Sequence, residues 1–112
     1  MKNKAADALR YMGATRTYIG YSLVVTCCVL INDDETRLQC VKRNLYPEVA
    51  KICNCRDGNI ERNIRTLINR IWEDHPDRLI EISQCELTYQ PSVSEFLDYL
   101  VTYIQREMTV KP

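Results

Sequence analysis

Residues 46–66 of the chain read YPEVAKICNCRDGNIERNIRT, and this stretch decides the predicted fold. Pro47 suits the first turn of a helix, where its missing N–H is not needed, and that helix is expected to end near Cys53. Asn54 tolerates the left-handed backbone of a tight turn. Asp57 is a favourable N-cap for a second helix. The spacing therefore predicts two helices joined by a short turn, a helix-turn-helix.

The second predicted helix runs to Trp72 or Glu73 and is amphipathic. Its apolar side chains recur at helical spacing, at Ile60, Ile64, Leu67, Ile68 and Ile71. Polar side chains lie on or near the opposite face, at Asn59, Arg62, Asn63, Thr66, Asn69 and Arg70. His75 precedes Pro76 and is pushed out of the helical region, so the helix is expected to end there. One face is thus predicted to pack, while the other stays free.

The flanking sequence predicts further helices. Three Gly and four Pro favour long regular elements with few breaks. Helices are expected at Ala5–Met12 closed by Gly13, at Thr17–Ile31 with Thr17 as N-cap, at Thr36–Asn44, and after a capping box of Ser92 and Glu95. Residues 77–90 are expected to form one helical turn and then a loop or short extended piece. The predicted fold class is all-α, a compact bundle of about six helices forming one domain over residues 1–112.

Charge is zero overall but unevenly distributed. The 15 Lys and Arg side chains balance 15 Asp and Glu, so the net charge gives no indication of binding to nucleic acid or to a membrane. Residues 37–70 nevertheless have a balance of +5, and residues 71–99 a balance of −6. The basic middle can hold phosphates, whereas the acidic segment would be repelled by them and is free to meet another protein.

Cysteine usage and hydropathy indicate the compartment. Six cysteines are present, but the chain does not begin with the pattern of a secretory signal, and no pair has the two-residue spacing of a zinc knuckle. We therefore expect reduced structural thiols, no metal site and no cofactor. The longest apolar stretch, Tyr18–Ile31, is shorter than the ~20 residues that span a bilayer. A cytoplasmic protein without membrane contact is expected.

The free face of the second helix carries side chains suited to nucleic acid. An α-helix fits the major groove of B-DNA and can point side chains at base edges. Arg62 and Arg65 can each form a bidentate pair with guanine, and Glu61 can accept from the cytosine amino group. Further contacts to bases or phosphates are expected from Asn59, Thr66, Arg56 and Lys51, the last two being suited to phosphates.

Several short motifs between about Ala8 and Ile104 occur in the order and at nearly the spacing found in one known family of domains. They are LYPEVAK at 45–51, Asn54, IERNIR at 60–65, IGY at 19–21, Trp72, Pro91 and SEF at 94–96. Together they resemble the DNA-binding effector domain of the sporulation response regulator called stage zero sporulation protein A. The resemblance implies a six-helix domain in which Glu61, Arg62 and Arg65 read bases. It also implies tandem self-association on a short double-stranded DNA box, and contact with an RNA polymerase sigma factor through about Glu73–Gln84.

Departures from that family leave alternatives open. Asn59 and Thr66 stand where arginine and histidine are expected, and Gly58 replaces a hydroxyl residue. No residues could supply the acidic pocket of the family's receiver domain, so the chain is expected to be an effector half or a free-standing version.

The sequence leaves two other function classes to compare with DNA binding. One is a helical protein-interaction module of the same fold that has lost specific DNA binding. Net neutrality and the substitutions at Asn59 and Thr66 allow this alternative. Without DNA binding, Arg62, Arg65 and Arg70 would solvate the helix and pair one turn away with Glu61 or Glu73. The other is an enzyme centred on His75 and its acidic neighbours. A single histidine without a nucleophile or a phosphate loop gives little support for catalysis, so no enzyme is expected.

Overall fold

The computed structural model describes residues 1–109, and helices account for most of them. The elements in chain order are α1 (Lys2–Tyr11), α2 (Ile19–Asp33), a 3-10 helix (Glu35–Gln39), α3 (Val41–Asn44), α4 (Tyr46–Cys53), α5 (Asp57–Asp74), α6 (Pro76–Ser83) and α7 (Val93–Thr109). Six of these helices have eight or more residues, and no strand occurs within the described residues. The prediction of an all-α bundle of about six helices is confirmed.

The core is centred on the packing of α2 against α5. All five apolar positions predicted for the buried face of α5 are buried, from Ile60 to Ile71. Helix α2 approaches α5 closely at Gly20, where an added Cβ would lie 2.6 Å from the Asn63 carbonyl oxygen. Helix α7 packs against α2, α5 and α6 and buries the predicted stripe from Val93 to Ile104. Burial of these side chains is the main source of stability.

The turn between α4 and α5 has the predicted conformation. Helix α4 ends at Cys53, and Asn54 adopts the left-handed conformation with φ 54° and ψ 55°. The Cys55 N–H donates to the Ala50 carbonyl oxygen at 3.0 Å, which closes the end of α4. Helix α5 follows two residues later. This arrangement is consistent with the predicted helix-turn-helix and orients α5 on the core of the domain.

Two predicted N-caps are wrong. Asp57 is the first residue of α5, and the residue before it, Arg56, makes no side-chain cap hydrogen bond. Because Asp57 already has helical backbone, its carboxylate contributes through the helix dipole of the first turn instead. Helix α2 begins at Ile19 after Tyr18, and the Thr17 hydroxyl hydrogen-bonds to the Thr15 hydroxyl at 2.7 Å. Thr17 therefore lies one residue too early to cap α2.

Two other segments differ from the sequence prediction. The helix expected over 36–44 is split, because Asp34 accepts a hydrogen bond from the Thr36 N–H at 3.0 Å and starts a 3-10 helix that ends before Cys40. Helix α6 has two turns rather than one and ends at Ser83, and the next residue, Gln84, is left-handed with a φ of 57°. A loop without a strand then leads to α7.

The start of α7 is as predicted. The Glu95 N–H donates to the Ser92 hydroxyl at 3.2 Å, and the Ser92 N–H donates to the Glu95 carboxylate at 2.9 Å. These reciprocal bonds satisfy two backbone donors at the helix N-terminus, as a capping box requires. Helix α5 also ends as expected, with His75 as its C-cap before Pro76.

Candidate nucleic-acid interface

The outer face of α5 is the candidate interface. Arg62, Arg65 and Thr66 are exposed on α5, whereas Asn59 and Glu61 are half-buried at its edges. Arg56, in the turn, and Lys51, on α4, are also exposed. The seven residues predicted to contact DNA therefore lie on α4, the following turn and α5, with both predicted guanine-reading arginines exposed.

The Glu61 carboxylate is held from two sides. The Tyr46 hydroxyl donates to Glu61 Oε1 at 2.8 Å, and Arg65 Nη2 donates to Glu61 Oε2 at 2.6 Å. Burial and then the hydrogen bond to Glu61 raise the pKa of the Tyr46 hydroxyl well above its ordinary value, so this hydroxyl remains a donor. Tyr46, Glu61 and Arg65 form a chain of contacts from the buried side of α4 to the exposed face of α5.

Tyr46 is the site-associated residue that the sequence analysis missed. The sequence pattern gives Tyr46 no role in DNA contact, yet its side chain reaches a residue 15 positions later, across the turn. No periodicity or short motif signals such a contact, because it depends on the angle at which α4 meets α5. The predicted pairing of Arg65 with Glu61 one turn away is present in the structure.

Arg62 has a local partner on the same helix. Arg62 Nη2 donates to Asn59 Oδ1 at 2.8 Å, three residues earlier. The Thr66 hydroxyl donates to the Arg62 carbonyl oxygen at 3.0 Å. Asn59 therefore restrains the direction of the Arg62 guanidinium, while the Thr66 hydroxyl keeps its oxygen lone pairs for an outside donor.

The far edge of α5 meets the beginning of α2. The Arg70 guanidinium stacks over the Tyr18 ring at 5.0 Å from its centroid, a cation–π contact. A groove of about 380 Å³ lies beside this contact. One wall is formed by residues 17–20, where α2 begins, and the other by four residues of α5, namely Asn63, Thr66, Leu67 and Arg70. Arg70 thus packs on Tyr18, whereas the sequence alternative paired it with an acidic neighbour.

Lys51 remains available to an outside anion. Its ammonium lies 3.8 Å from the Glu48 carboxylate, and its side chain is 77% exposed. Such exposed pairs hold their partners weakly, because water screens both charges. The contact therefore leaves Lys51 free to approach a phosphate.

The six cysteines are free thiols. Burial raises the pKa of Cys27 well above its usual value and the pKa of Cys28 to about 12, so both stay protonated at neutral pH. Among residues 1–109, no three His, Cys, Asp or Glu side chains come together in a way that could hold a metal ion. The His75 ring packs against Gly13, where a Cβ would be 2.6 Å from His75 Cδ2. The contact with Gly13 indicates a structural role for the His75 ring.

Residues 73–84 form an acidic surface around α6. Glu73, Asp74 and Asp77 are exposed, and Glu81 accepts a hydrogen bond from the Tyr11 hydroxyl. Arg78 donates to the Tyr11 carbonyl oxygen at 2.8 Å, which ties α6 to α1.

Along the described residues, none of the helices combines the length and apolarity that a bilayer crossing needs.

Comparison with known families agrees with the geometry of the helix pair. A family model described as "Sporulation initiation factor Spo0A C terminal" matches residues 5–104, most of the 112-residue chain. The match includes α4, the turn and the whole of α5. That family consists of DNA-binding domains that regulate transcription in sporulation, and it is not a class of enzymes. The chain belongs to the family of the C-terminal, DNA-binding effector domain of sporulation initiation factor Spo0A.

Proposed function

We propose that the chain is a sequence-specific regulator of transcription whose helix α5, over about residues 57–73, enters the major groove of double-stranded DNA. The observation that carries the proposal is the division of α5 into two faces. Its isoleucines are buried, and Arg62 and Arg65 extend from the opposite, exposed face. A helix held in this way can insert its free edge into the groove without unpacking the core.

Each residue of the interface has a proposed role. Arg62 and Arg65 read guanine through bidentate hydrogen bonds, because a guanidinium matches the N7 and O6 acceptors. Lys51 and Arg56 contact phosphates beside the groove, which positions the domain. Asn59 and Thr66 contact bases or sugar-phosphate groups at the edges of the same face, while Glu61 lies in the interface and accepts a hydrogen bond from Arg65.

The output of the domain is also part of the proposal. We infer tandem binding of copies on DNA and contact with an RNA polymerase sigma factor through the acidic surface of Glu73–Gln84. Exposed carboxylates there are suited to a basic protein partner and unsuited to DNA. The proposed setting is the cytoplasm, and residues 1–112 are proposed to form one effector domain.

Selection of bound duplexes from a random pool, followed by titration of the preferred site at several salt concentrations, tests the proposal. We expect a defined site whose affinity falls steeply with salt, since each phosphate neutralised contributes a slope of about −0.9 to log K against log salt. A protein-interaction module would select no sequence and bind every duplex too weakly to measure, even at low salt. That result would contradict DNA recognition by this chain.

Single alanine substitutions distinguish base readers from phosphate contacts. Arg62→Ala or Arg65→Ala is expected to cost about 1–3 kcal/mol on the preferred site and to relax base choice. Lys51→Ala is expected to weaken specific and random duplexes by similar factors. Arg10→Ala on α1 removes the same charge outside the helix-turn-helix and serves as the control. If the Arg62, Arg65 and Lys51 variants each lost affinity equally on the preferred and the random duplex, Arg62 and Arg65 would be wrongly assigned as base readers.

A further inference from the structure

Tyr46 joins the buried side of the helix-turn-helix to its exposed face. Its ring is buried, with 3% of its surface exposed, and its hydroxyl donates to Glu61 Oε1. Neither the packing of α4 nor the start of the helix requires a hydroxyl at this position. A phenylalanine could fill the same volume, so the hydroxyl has a role that burial of the ring does not explain.

Both oxygens of the Glu61 carboxylate are engaged. Oε1 accepts from Tyr46, Oε2 accepts from Arg65, and the Glu61 side chain is only 30% exposed. Turning Glu61 outward toward a cytosine would leave the Tyr46 hydroxyl without this partner, and an unpaired buried polar group is unfavourable. Glu61 is therefore better placed to hold Arg65 than to read a base directly.

Arg65 keeps its recognition capacity while it is held. Its side chain is 58% exposed, and the contact to Glu61 uses one nitrogen, Nη2. A guanidinium carries five N–H donors, so donors remain for a bidentate pair with guanine. Fixing a long, flexible side chain before binding reduces the entropy lost when it contacts the base.

We propose that Tyr46 is a specificity-determining positioning residue, whose hydroxyl orients Glu61 so that Glu61 aligns Arg65 with a guanine in the major groove. This inference rests on the proposed function, because it assigns the support of a base reader in that same interface. Tyr46 itself does not contact DNA in this arrangement. Its effect on base choice passes through Glu61 and Arg65.

Base-preference profiling of Tyr46→Phe tests the proposal. The Arg65→Ala profile first identifies the base pair at which preference depends on Arg65. At that base pair we expect Tyr46→Phe to reduce discrimination for guanine by roughly tenfold, the scale of one hydrogen bond to a charged group. Affinity for random duplex and preference at the base pair read by Arg62 are expected to stay unchanged. A purely structural role would lower affinity for random duplex and preference at both base pairs together.

Three comparisons make the test decisive. Tyr21→Phe removes the hydroxyl of another buried tyrosine, one that lines a groove with α1, and is expected to leave the profile unchanged. In the Arg65→Ala background, Tyr46→Phe is expected to cause no further loss of discrimination, since the two residues act in series. If Tyr46→Phe does not fold, Glu61→Gln keeps an acceptor for Tyr46, removes the charge facing Arg65, and is expected to give the same local loss.

The possible outcomes separate this inference from the proposed function. A wild-type protein that selects no sequence would refute the proposed function, and the role of Tyr46 with it. A selective wild-type protein whose Tyr46→Phe variant retains the full profile would refute only the role of Tyr46. Additive losses in the double variant would also refute it, because they would mean that Tyr46 acts independently of Arg65.

Discussion

Ile64→Asp is expected to unfold the domain. Ile64 is completely buried on the inner face of α5, so the substitution removes an apolar side chain and places a carboxylate in the core. The expected loss is about 4 kcal/mol or more, against a total stability of about 5–15 kcal/mol for ordinary domains. Circular dichroism during chemical denaturation measures the loss, and duplex binding is expected to disappear with the helical signal.

A matched substitution on an exposed isoleucine separates burial from chemistry. Ile19, the first residue of α2, is 73% exposed, so Ile19→Asp makes the same chemical change in contact with water. The free energy of unfolding is expected to change by less than about 0.5 kcal/mol. A folded Ile64→Asp protein that still binds DNA would mean that the two faces of α5 are reversed, and that Arg62 and Arg65 point inward.

Gly20→Ala is expected to cause the second large loss of stability. A Cβ at Gly20 would lie 2.6 Å from the Asn63 carbonyl oxygen and 3.2 Å from Leu67 Cβ. The nearest obstacle is backbone of α5, which cannot turn aside as a flexible side chain could. The two helices must separate, and we expect a cost near the upper end of overpacking values, about 3 kcal/mol.

Gly58→Ala provides the control for Gly20→Ala. Gly58 lies in the first turn of α5, and a Cβ there would have no heavy atom within 4 Å. Alanine loses less backbone entropy than glycine on entering a helix, so Gly58→Ala is expected to stabilise the domain by about 0.5–1 kcal/mol. Thermal denaturation of both variants measures the contrast. A Gly20→Ala protein as stable as the wild type would contradict the close approach of α2 to α5.

Local patterns predicted much of the fold. The spacing of apolar residues in α5 and α7 correctly assigned their buried faces, and Asn54 and the Ser92 capping box correctly marked a turn and a helix start. One helix predicted over 36–44 is split into two elements, and the other errors lie at element ends, such as the N-cap predicted at Asp57. There the backbone can shift by one residue without changing which side chains are buried, so the pattern does not determine the boundary.

The sequence predicted the position of the candidate site and one of its internal contacts. Helical spacing placed Arg62 and Arg65 opposite the buried face, and both are exposed. Spacing also indicated the Glu61–Arg65 pair, since residues four apart on a helix are neighbours. The contact of Glu61 with Tyr46 was missed, because it joins two helices across a turn.

By itself, the sequence determined that this chain is helical, where its turn lies and which face of α5 carries the arginines. Each of these properties arises from neighbours within about one or two helical turns, and such neighbours are visible as a pattern along the chain. Only the tertiary structure decided that Gly20 lies directly against the backbone of α5 and that the Tyr46 hydroxyl hydrogen-bonds to Glu61. Those contacts depend on the distance and angle between packed helices, which are set by the whole core at once.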